Sequence, residues 1–351
     1  MTDPEKGAVG VIGGGAWGTA LAQMLASDGR GVVLWAREPD LAQAINQTRA
    51  NTAYLPGIVL DPLIRATCDP SGLAGLDCVL VATPAQALGT VLAAMPRLFG
   101  HLVLCSKGIE AGTGRLMADV ARSAQPHAAL AVLSGPTFAH EVAVGLPAAV
   151  TLACSGGQAQ WSRLAPVIAR PAFRPYFSHD VIGAEIGGAV KNVLAVACGV
   201  VEGLGLGQNA RAALISRGFA EMVRFGVALG AEAETLTGLS GLGDLVLTCN
   251  SASSRNFSLG KALGEGHTAA DVLNDRRTVA EGAFTAPVLA DLARARGIAM
   301  PIAEAVAALV SGASPVRAVA EALLARPLRP EQDLTERDLA KREPAGEPGL
   351  G

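Results

Sequence analysis

Residues 8–29 read AVGVIGGGAWGTALAQMLASDG, and this stretch decides the fold of the first half of the chain. Its first six residues are typical of a short buried strand, and the run after Gly18 is typical of a helix. The spacing Gly13-x-Gly15-x-x-Gly18 therefore lies between a strand and a helix, the context in which this pattern indicates dinucleotide binding. The first glycine permits a tight turn, the second admits a pyrophosphate, and the third lets helix and strand pack closely. A glycine-rich turn without a ligand is the alternative.

The second predicted strand starts at Gly31 and ends at Arg37. An acidic residue at this place usually accepts hydrogen bonds from the adenosine ribose of NAD, whereas an arginine pairs with the 2′-phosphate of NADP. Arg37 therefore favours NADP, although Glu38 is adjacent and an arginine that stacks on adenine would leave both coenzymes usable. The expected cofactors are NADP(H) and/or NAD(H).

Short apolar strands and helices continue to alternate as far as residue 177. This alternation predicts a parallel sheet that is buried on both faces. Ligands of such sheets bind at the carboxyl ends of the strands, where Lys107, Gly135 and Thr137 lie. Solvated loop surface is the alternative for these three residues. The predicted later strands are 64–68, 77–83, 101–107, 128–134, 147–155 and 173–177, and helices are predicted over 85–95 and 113–124.

From residue 181 onward the chain is predicted to be helical. Residues 181–203, VIGAEIGGAVKNVLAVACGVVEG, read as one long apolar helix with Lys191 near its middle. Such a lysine either lays its stem along apolar surface with its ammonium in water, or it is partly desolvated at a domain junction, where its pKa can be tuned. The expected fold class is α/β, with an N-terminal Rossmann-type parallel-sheet domain over 1–180 and an all-α domain over 181–328. Residues 329–351 are expected to form a disordered tail.

Two segments of the helical half have distinct patterns. A helix is predicted over 210–229, with Asn209 as its N-cap and Gly230 just beyond its end. Residues 238–257, GLSGLGDLVLTCNSASSRNF, are rich in glycine and then in serine, which predicts a loop. Asp244 and Ser254 in this segment are ordinary turn residues unless a site brings them together.

Composition excludes several classes of protein. The chain has 351 residues, of which 50% are hydrophobic and 17% charged, and its net charge of −3 argues against nucleic acid as a partner. No uncharged apolar run is long enough to predict a membrane span, and the N-terminal MTDPEKG is too polar for a signal peptide. The six cysteines form no CxxC pair, which predicts neither a disulfide framework nor a metal site. We therefore expect a cytoplasmic protein.

Eight motifs occur in the order typical of one enzyme family. Together they resemble the bacterial type of NAD(P)-dependent glycerol-3-phosphate dehydrogenase, over about Val9 to Gly282. One departure is Ala16, where the family often has serine. The motifs are GGGAWGTALA (13–22), NTAYLPG (51–57), CSKGIE (105–110), SGPTFAHEVAVGLP (134–147), EIGGAVKNVLAVACG (185–199), GLSGLGDLVLTC (238–249), SRNF (254–257) and VAEG (279–282).

The resemblance implies a reaction and a set of site residues. Dihydroxyacetone phosphate and sn-glycerol 3-phosphate would be interconverted with NAD(P)(H), and the latter is the backbone precursor of phospholipids. Lys191 would be the catalytic general acid/base, and a homodimer is left open. The implied substrate-binding residues are Lys107, Gly135, Thr137, Lys191, Asp244, Ser254, Arg255 and Asn256. The implied cofactor-binding residues are Gly13, Gly15, Ala16, Trp17, Gly18, Arg37, Lys107, Ala139, Arg255, Val279 and Glu281.

The implied chemistry requires these residue types. The C2 oxygen must gain or lose a proton as the hydride moves, and an ammonium both stabilises the developing charge and donates that proton. Burial and the cations Lys107 and Arg255 should lower the pKa of Lys191, whereas Asp244 should raise it. Two alternatives share the nucleotide-binding half: a reductase of 3-hydroxy acids or ketopantoate-like substrates, which needs a carboxylate clamp, and a non-catalytic nucleotide sensor.

Overall fold

Eight strands form one sheet in the spatial order β3-β2-β1-β4-β5-β6-β7-β8. The computed structural model describes residues 7–274 and 279–325. Side chains that alternate along each strand pack into different clusters, with Val32 and Leu34 on one face and Val33 and Trp35 on the other. The sheet is therefore buried on both faces, as predicted. The strands are β1 (Val9–Ile12), β2 (Val32–Trp35), β3 (Ile64–Thr67), β4 (Cys78–Val81), β5 (His101–Leu104), β6 (Ala129–Ser134), β7 (Ala148–Cys154) and β8 (Phe173–Ser178).

The order of the strands reverses beside β1. Its last residue, Ile12, lies opposite Trp35 of β2 on one side and Val81 of β4 on the other, and all three strands are parallel. A reversal of this kind opens a crevice at the carboxyl ends of the strands, and nucleotides bind in such crevices. The turn that follows Ile12 lies at the head of this crevice, so the predicted Rossmann-type arrangement is confirmed.

One strand runs against the others. β7 is antiparallel to β6, whereas β8 is parallel to β7. The connection from 135 to 147 contains only one short helix and returns the chain to the sheet at the edge where β6 ended. An apolar run carries no information about direction, so the sequence pattern alone predicted a wholly parallel sheet.

Fifteen α-helices lie within the described residues. Those of the first half cover the sheet, and those after Ser178 form a separate helical core. They are α1 (Ala16–Ala26), α2 (Pro39–Thr48), α3 (Leu88–Ala93), α4 (Met117–Ala124), α5 (Ala139–Ala143), α6 (Gly157–Ile168), α7 (Val181–Gly203), α8 (Gly207–Ala228), α9 (Ala233–Thr237), α10 (Asp244–Cys249), α11 (Arg255–Gly264), α12 (Ala269–Asn274), α13 (Glu281–Ala295), α14 (Pro301–Val310) and α15 (Val316–Leu324).

The helix α7 is the axis of the helical half. By length and composition it would suffice to cross a membrane, but 89% of its most apolar window is buried inside the protein, which is typical of the core helix of a soluble fold. Glycines let α11 approach it at backbone distance: a methyl group on Gly199 would lie 2.1 Å from the Phe257 carbonyl oxygen, and one on Gly260 would lie 1.9 Å from that of Val196. The two helices therefore pack through their main chains.

The predicted division of the chain falls between two elements. β8 ends at Ser178 and α7 begins at Val181, so residue 180 lies in the short connection. There Asp180 caps α7 by accepting a hydrogen bond from the amide of Gly183 at 2.7 Å. The division into domains itself stays a prediction, and the predicted tail over 329–351 lies outside the described residues.

Two local predictions were wrong. α8 begins at Gly207 rather than at 210, so Asn209 lies inside the helix and not at its N-cap. The φ of +85° at Gly207 lets the chain turn sharply in the short connection after α7, and the helix can therefore start earlier. Residues 238–257 are mostly helical: a π-helical turn over Leu239–Gly243 runs directly into α10. Gly241 serves close packing there, since a methyl group on it would lie 1.9 Å from the Leu236 carbonyl oxygen, and α7 approaches the same turn so closely that a methyl group on Gly187 would lie 2.4 Å from the Ser240 carbonyl oxygen.

Candidate functional site

The glycine turn between β1 and α1 has the geometry that a dinucleotide needs. Gly13 has a φ of +120°, and a methyl group on Gly18 would lie 1.9 Å from the Gly13 carbonyl oxygen. A methyl group on Gly15, by contrast, would meet nothing within 4 Å, so that part of the backbone is open to a ligand. The first turn of α1 carries no side-chain cap, which leaves its amides available to an anion. These features fit a pyrophosphate.

Two half-buried residues that were predicted to contact the cofactor, one at the start of α1 and one at the start of α5, have apolar surroundings. Trp17 packs against the core on one face of the sheet, and Ala139, the first residue of α5, packs against the same core. The indole Nε1 of Trp17 is buried and has no hydrogen-bond partner within the described residues. Ala16 offers no hydroxyl, so the donors that this turn presents to an anion are those of its backbone.

Arg37 and Glu38 follow β2 on the outer side of this turn. The Arg37 guanidinium donates to the Glu38 carboxylate, with Nη2 at 2.7 Å and Nε at 3.2 Å from Oε1. The side chain of Arg37 is 78% exposed. Arg37, the predicted ligand of a 2′-phosphate, is therefore accessible, but its guanidinium is already paired with the Glu38 carboxylate.

A buried carboxylate joins the two halves of the molecule. Asp244, at the start of α10, is fully buried, and its Oδ2 accepts a hydrogen bond from Lys107 Nζ at 2.6 Å. Its Oδ1 accepts from Lys191 Nζ of α7. Lys191 Nζ also donates to Thr248 Oγ1 at 3.1 Å. Lys107 follows β5 in the sheet half, so one carboxylate binds an ammonium from each half.

The pKa of Lys191 is lowered to about 7. Burial is the largest cause, because it removes water from the ammonium, and the ammonium of Lys107 lowers the pKa further. The carboxylate of Asp244 opposes both effects but does not outweigh them. Of the opposing effects that the sequence leads us to expect, burial therefore dominates.

The loop after β6 lies against this cluster. Lys107 Nζ lies 3.4 Å from the Gly135 carbonyl oxygen, and Thr137 Oγ1 donates to the same oxygen at 3.2 Å. A methyl group on Gly188 of α7 would lie 2.9 Å from Ser134 Oγ and 3.3 Å from Lys107 Cγ. The small residues before Lys191 thus let α7 lie directly on the carboxyl edge of the sheet.

The start of α11 is fixed to α7 by an amide pair. Asn256 Nδ2 donates to Asn192 Oδ1 at 2.9 Å, and Asn256 Oδ1 accepts from the amide of Gly282 at 2.9 Å. Ser254 is the N-cap, its Oγ accepting from the amide of Phe257 at 3.2 Å. The exposed residue Arg255 begins the helix. The amino end of α11 therefore lies beside the residue that follows Lys191.

Glu281 links the start of α13 to the sheet half. Its Oε1 accepts from the amide of Ala85, the residue that opens the helical turn after β4, at 3.1 Å. Burial raises the pKa of Glu281 to about 7, while the amide of Ala85 and the guanidinium of Arg255 both lower it. Val279 is exposed two residues before it. Glu281 therefore lies within electrostatic reach of Arg255 and in contact with the sheet half.

Comparisons with known proteins agree along almost the whole described chain. Residues 8–160 match the family model described as NAD-dependent glycerol-3-phosphate dehydrogenase N-terminus, and residues 180–321 match the corresponding C-terminus model. The chain belongs to the NAD-dependent glycerol-3-phosphate dehydrogenase family. The resemblance drawn from the eight motifs is thereby confirmed. The prediction that the protein is an NAD(P)-dependent dehydrogenase is confirmed with it.

Individual relatives of the family support the same assignment. The glycerol-3-phosphate dehydrogenase [NAD(P)+] of Novosphingobium aromaticivorans is 70% identical over 326 residues, which is 93% of this chain and 98% of the relative. That of Erythrobacter litoralis is 66% identical, with 93% and 98% covered. The crystal structure of glycerol-3-phosphate dehydrogenase from Coxiella burnetii has a TM-score of 0.87 at 37% identity, covering 92% of this chain and 100% of that chain.

Sequence reasoning missed two residues of the site in this family member. Thr248 contacts Lys191, and Asn192 holds Asn256. Thr248 lies four residues after Asp244, the spacing that places two side chains on one face of a helix. That signal was hidden because the segment was interpreted as a loop. Asn192 is adjacent to Lys191, and only the packing of α11 reveals its partner.

The buried carboxylate generates a prediction about stability. We expect Asp244→Asn to lower the free energy of unfolding by about 3 kcal/mol at pH 7, because it leaves buried ammonium groups without their counter-charge. The loss should shrink as the pH approaches 10. The pKa of Lys191 is lower in the folded than in the unfolded chain, so its protonation favours unfolding as the pH falls, and the variant lacks the carboxylate that limits this effect.

Urea unfolding at pH 7 and pH 10 measures the difference. Asp119→Asn is the control, because Asp119 pairs with Arg122 at 3.1 Å on exposed surface and its loss should change stability by less than about 0.5 kcal/mol. A destabilisation by Asp244→Asn that is equal at both pH values would contradict the electrostatic interpretation.

Proposed function

We propose that Lys191 is the catalytic acid and base of this dehydrogenase, which interconverts dihydroxyacetone phosphate and sn-glycerol 3-phosphate with NAD(P)(H). The observation that carries the assignment of roles is the buried Lys191 ammonium, held by Asp244 and Thr248 at the carboxyl edge of the sheet. The product would supply glycerophospholipid synthesis. Bound NAD(P)(H) supplies or accepts the hydride, and the protein provides the proton and the binding sites.

The proton transfer follows from the surroundings of Lys191. During reduction the C2 oxygen of the substrate gains negative charge, which the ammonium stabilises before it donates its proton. During oxidation the neutral amine accepts the proton of the C2 hydroxyl. A pKa of about 7 makes both forms of Lys191 accessible near neutral pH. The bonds to Asp244 and Thr248 keep Nζ in one position in either direction.

The phosphate of the substrate has a matching anchor at the start of α11. Ser254 Oγ accepts from an amide of the helix and keeps its own hydrogen, and Asn256 Nδ2 uses one of its two hydrogens for Asn192. Each side chain therefore retains a donor. With the guanidinium of Arg255 and the helix amino end, these donors suit a phosphate dianion. Lys107, Gly135 and Thr137 complete the proposed substrate site on the sheet side.

The proposed cofactor site extends along the carboxyl edge of the sheet. Backbone amides of the β1–α1 turn would hold the pyrophosphate, and Arg37 beside β2 would meet the adenosine end. Lys107, which follows β5, would then be near the nicotinamide end. The proposed contacts are Gly13, Gly15, Ala16, Trp17, Gly18, Arg37, Lys107, Ala139, Arg255, Val279 and Glu281.

A cytoplasmic location is proposed from the composition of the chain and from α7 being a buried core helix. A homodimer stays a prediction. Sedimentation equilibrium of the purified protein would test the dimer.

The role of Lys191 predicts the behaviour of its alanine variant. We expect Lys191→Ala to reduce kcat for dihydroxyacetone phosphate by at least about a hundredfold, the usual scale for loss of a general acid. Affinity for NAD(P)H should be retained, because the nucleotide turn is unchanged. Lys261→Ala is the matched control, since Lys261 is a half-exposed lysine paired with Glu265 at 3.6 Å on α11. Turnover within threefold of the wild type in Lys191→Ala would rule out the role.

The pH profiles of the two directions should have opposite slopes. Reduction requires the Lys191 ammonium, so kcat/KM for dihydroxyacetone phosphate should fall as the pH rises through about 7. Oxidation requires the neutral amine, so kcat/KM for sn-glycerol 3-phosphate should rise over the same range. Steady-state kinetics from pH 5.5 to 9 in both directions would check this. Profiles of the same slope would show that another group limits the reaction.

The phosphate anchor predicts a change in KM. We expect Arg255→Ala to raise KM for dihydroxyacetone phosphate by about tenfold or more, because a charge-assisted contact to a phosphate is lost. Unphosphorylated dihydroxyacetone should react at a similar kcat/KM with the variant and the wild type, because it has no phosphate for Arg255 to bind. An equal loss for both substrates would place Arg255 outside the phosphate site.

A further inference from the structure

The segment after β2 lies against the nucleotide turn. The amide of Gly13 donates to the Trp35 carbonyl oxygen at 2.9 Å, which holds the turn to the end of β2. A methyl group on Gly14 would lie 2.7 Å from the Ala36 Cβ, so the turn and the end of β2 are in direct contact. Arg37 and Glu38 are the next two residues. Their side chains therefore border the place where the adenosine half of a dinucleotide lies in a sheet of this order.

Glu38 is not needed for the helix that it precedes. It occupies the N-cap position of α2, but its side chain makes no capping hydrogen bond, and Pro39 at the next position has no amide to cap. Its carboxylate instead binds Arg37, at 2.7 Å from Nη2. The side chain of Glu38 is 42% exposed, so a ligand at the surface can reach it.

We propose that Glu38 sets the ratio in which NADPH and NADH are used. The carboxylate accepts a hydrogen bond from the adenosine ribose hydroxyls of NADH, and it competes with the 2′-phosphate of NADPH for the Arg37 guanidinium. This inference rests on the proposed function, because it assumes that the β1–α1 turn binds the dinucleotide.

The two effects have opposite consequences for the two coenzymes. A 2′-phosphate must displace the Glu38 carboxylate from the Arg37 guanidinium. It then lies close to the negative charge of that carboxylate, which weakens NADPH binding. A free 2′-hydroxyl is a donor, and the carboxylate accepts from it, which strengthens NADH binding. A pair of this kind keeps both coenzymes in use, whereas Arg37 alone would favour NADPH.

The test is the variant Glu38→Gln, which preserves the size of the side chain and removes its charge. We expect kcat/KM for NADPH to rise by about threefold, the scale of an exposed ion pair. We expect kcat/KM for NADH to fall by about threefold, because an amide is a weaker acceptor than a carboxylate. The ratio of the two values should therefore move by about tenfold toward NADPH.

Asp40→Asn is the matched control. Asp40 lies in the first turn of α2 and is exposed. Its replacement by asparagine removes one negative charge from the same surface as Glu38→Gln does. We expect it to change the coenzyme ratio by less than about twofold, because dissolved salt screens the interaction between an exposed carboxylate and a coenzyme that it does not contact. An equal shift in both variants would show that only the overall charge matters and would overturn the specific role of Glu38.

A double-mutant cycle with Arg37→Gln separates the two parts of the inference. In the Arg37→Gln background, Glu38→Gln should raise the efficiency with NADPH by much less than threefold, because no guanidinium remains to be released. Its loss of efficiency with NADH should persist. A gain with NADPH that is the same with and without Arg37 would contradict the competition.

Coenzyme binding distinguishes a failure of this inference from a failure of the proposed function. The dissociation constants of NADPH and NADH can be measured by nicotinamide fluorescence without any substrate. A shifted binding ratio in Glu38→Gln with no turnover of dihydroxyacetone phosphate by the wild type would reject the proposed reaction but leave the proposed coenzyme site, and the role of Glu38 in it, intact. Normal turnover with an unchanged ratio would reject the inference alone.

Discussion

The Asp244 carboxylate, buried between two ammonium groups, is the interaction on which the site depends. Lys107 reaches it from the sheet half and Lys191 from the helical half. The buried ammonium of Lys191 and the partly buried ammonium of Lys107 would repel each other and lose hydration, and one carboxylate with a contact to each reduces both costs without removing them. The two halves are thereby joined at the point where the proposed proton transfer takes place. The lowered pKa of Lys191 follows from the same burial that requires the carboxylate.

Much of the fold was readable from the sequence because its signals are local. The apolar strand before Gly13 and the helix after Gly18 predict their own elements and the turn between them. The length of 181–203 and its small residues predict a central buried helix. The direction of β7 was not readable, because the pattern of 147–155 fits either orientation. It depends on where the connection after Ser134 returns to the sheet.

The site was readable only in part. Lys191 and Asp244 are 53 positions apart, and their contact follows from the packing of α10 on α7, which no local pattern encodes. The motifs located these residues through the family resemblance, but they did not show that Asn256 is held by Asn192 or that Thr248 contacts Lys191. The glycines of 238–243 were misleading for a physical reason. Glycine predicts a turn when only the chain is considered, and here it permits contact between two main chains.

The contact of α7 with α11 through Gly199 and Gly260 has a consequence for substrate size. Main chains that touch cannot adjust by changing side-chain rotamers, so the separation between the backbone of α7 at Lys191 and the amino end of α11 is fixed by the contact of the two main chains. In the proposed function the reacting carbon lies at Lys191 and the phosphate at the amino end of α11, so this separation would select substrates by the distance between those two groups. A homologue of dihydroxyacetone phosphate with one more methylene would fit poorly there, because two main chains in contact leave little freedom to widen the gap.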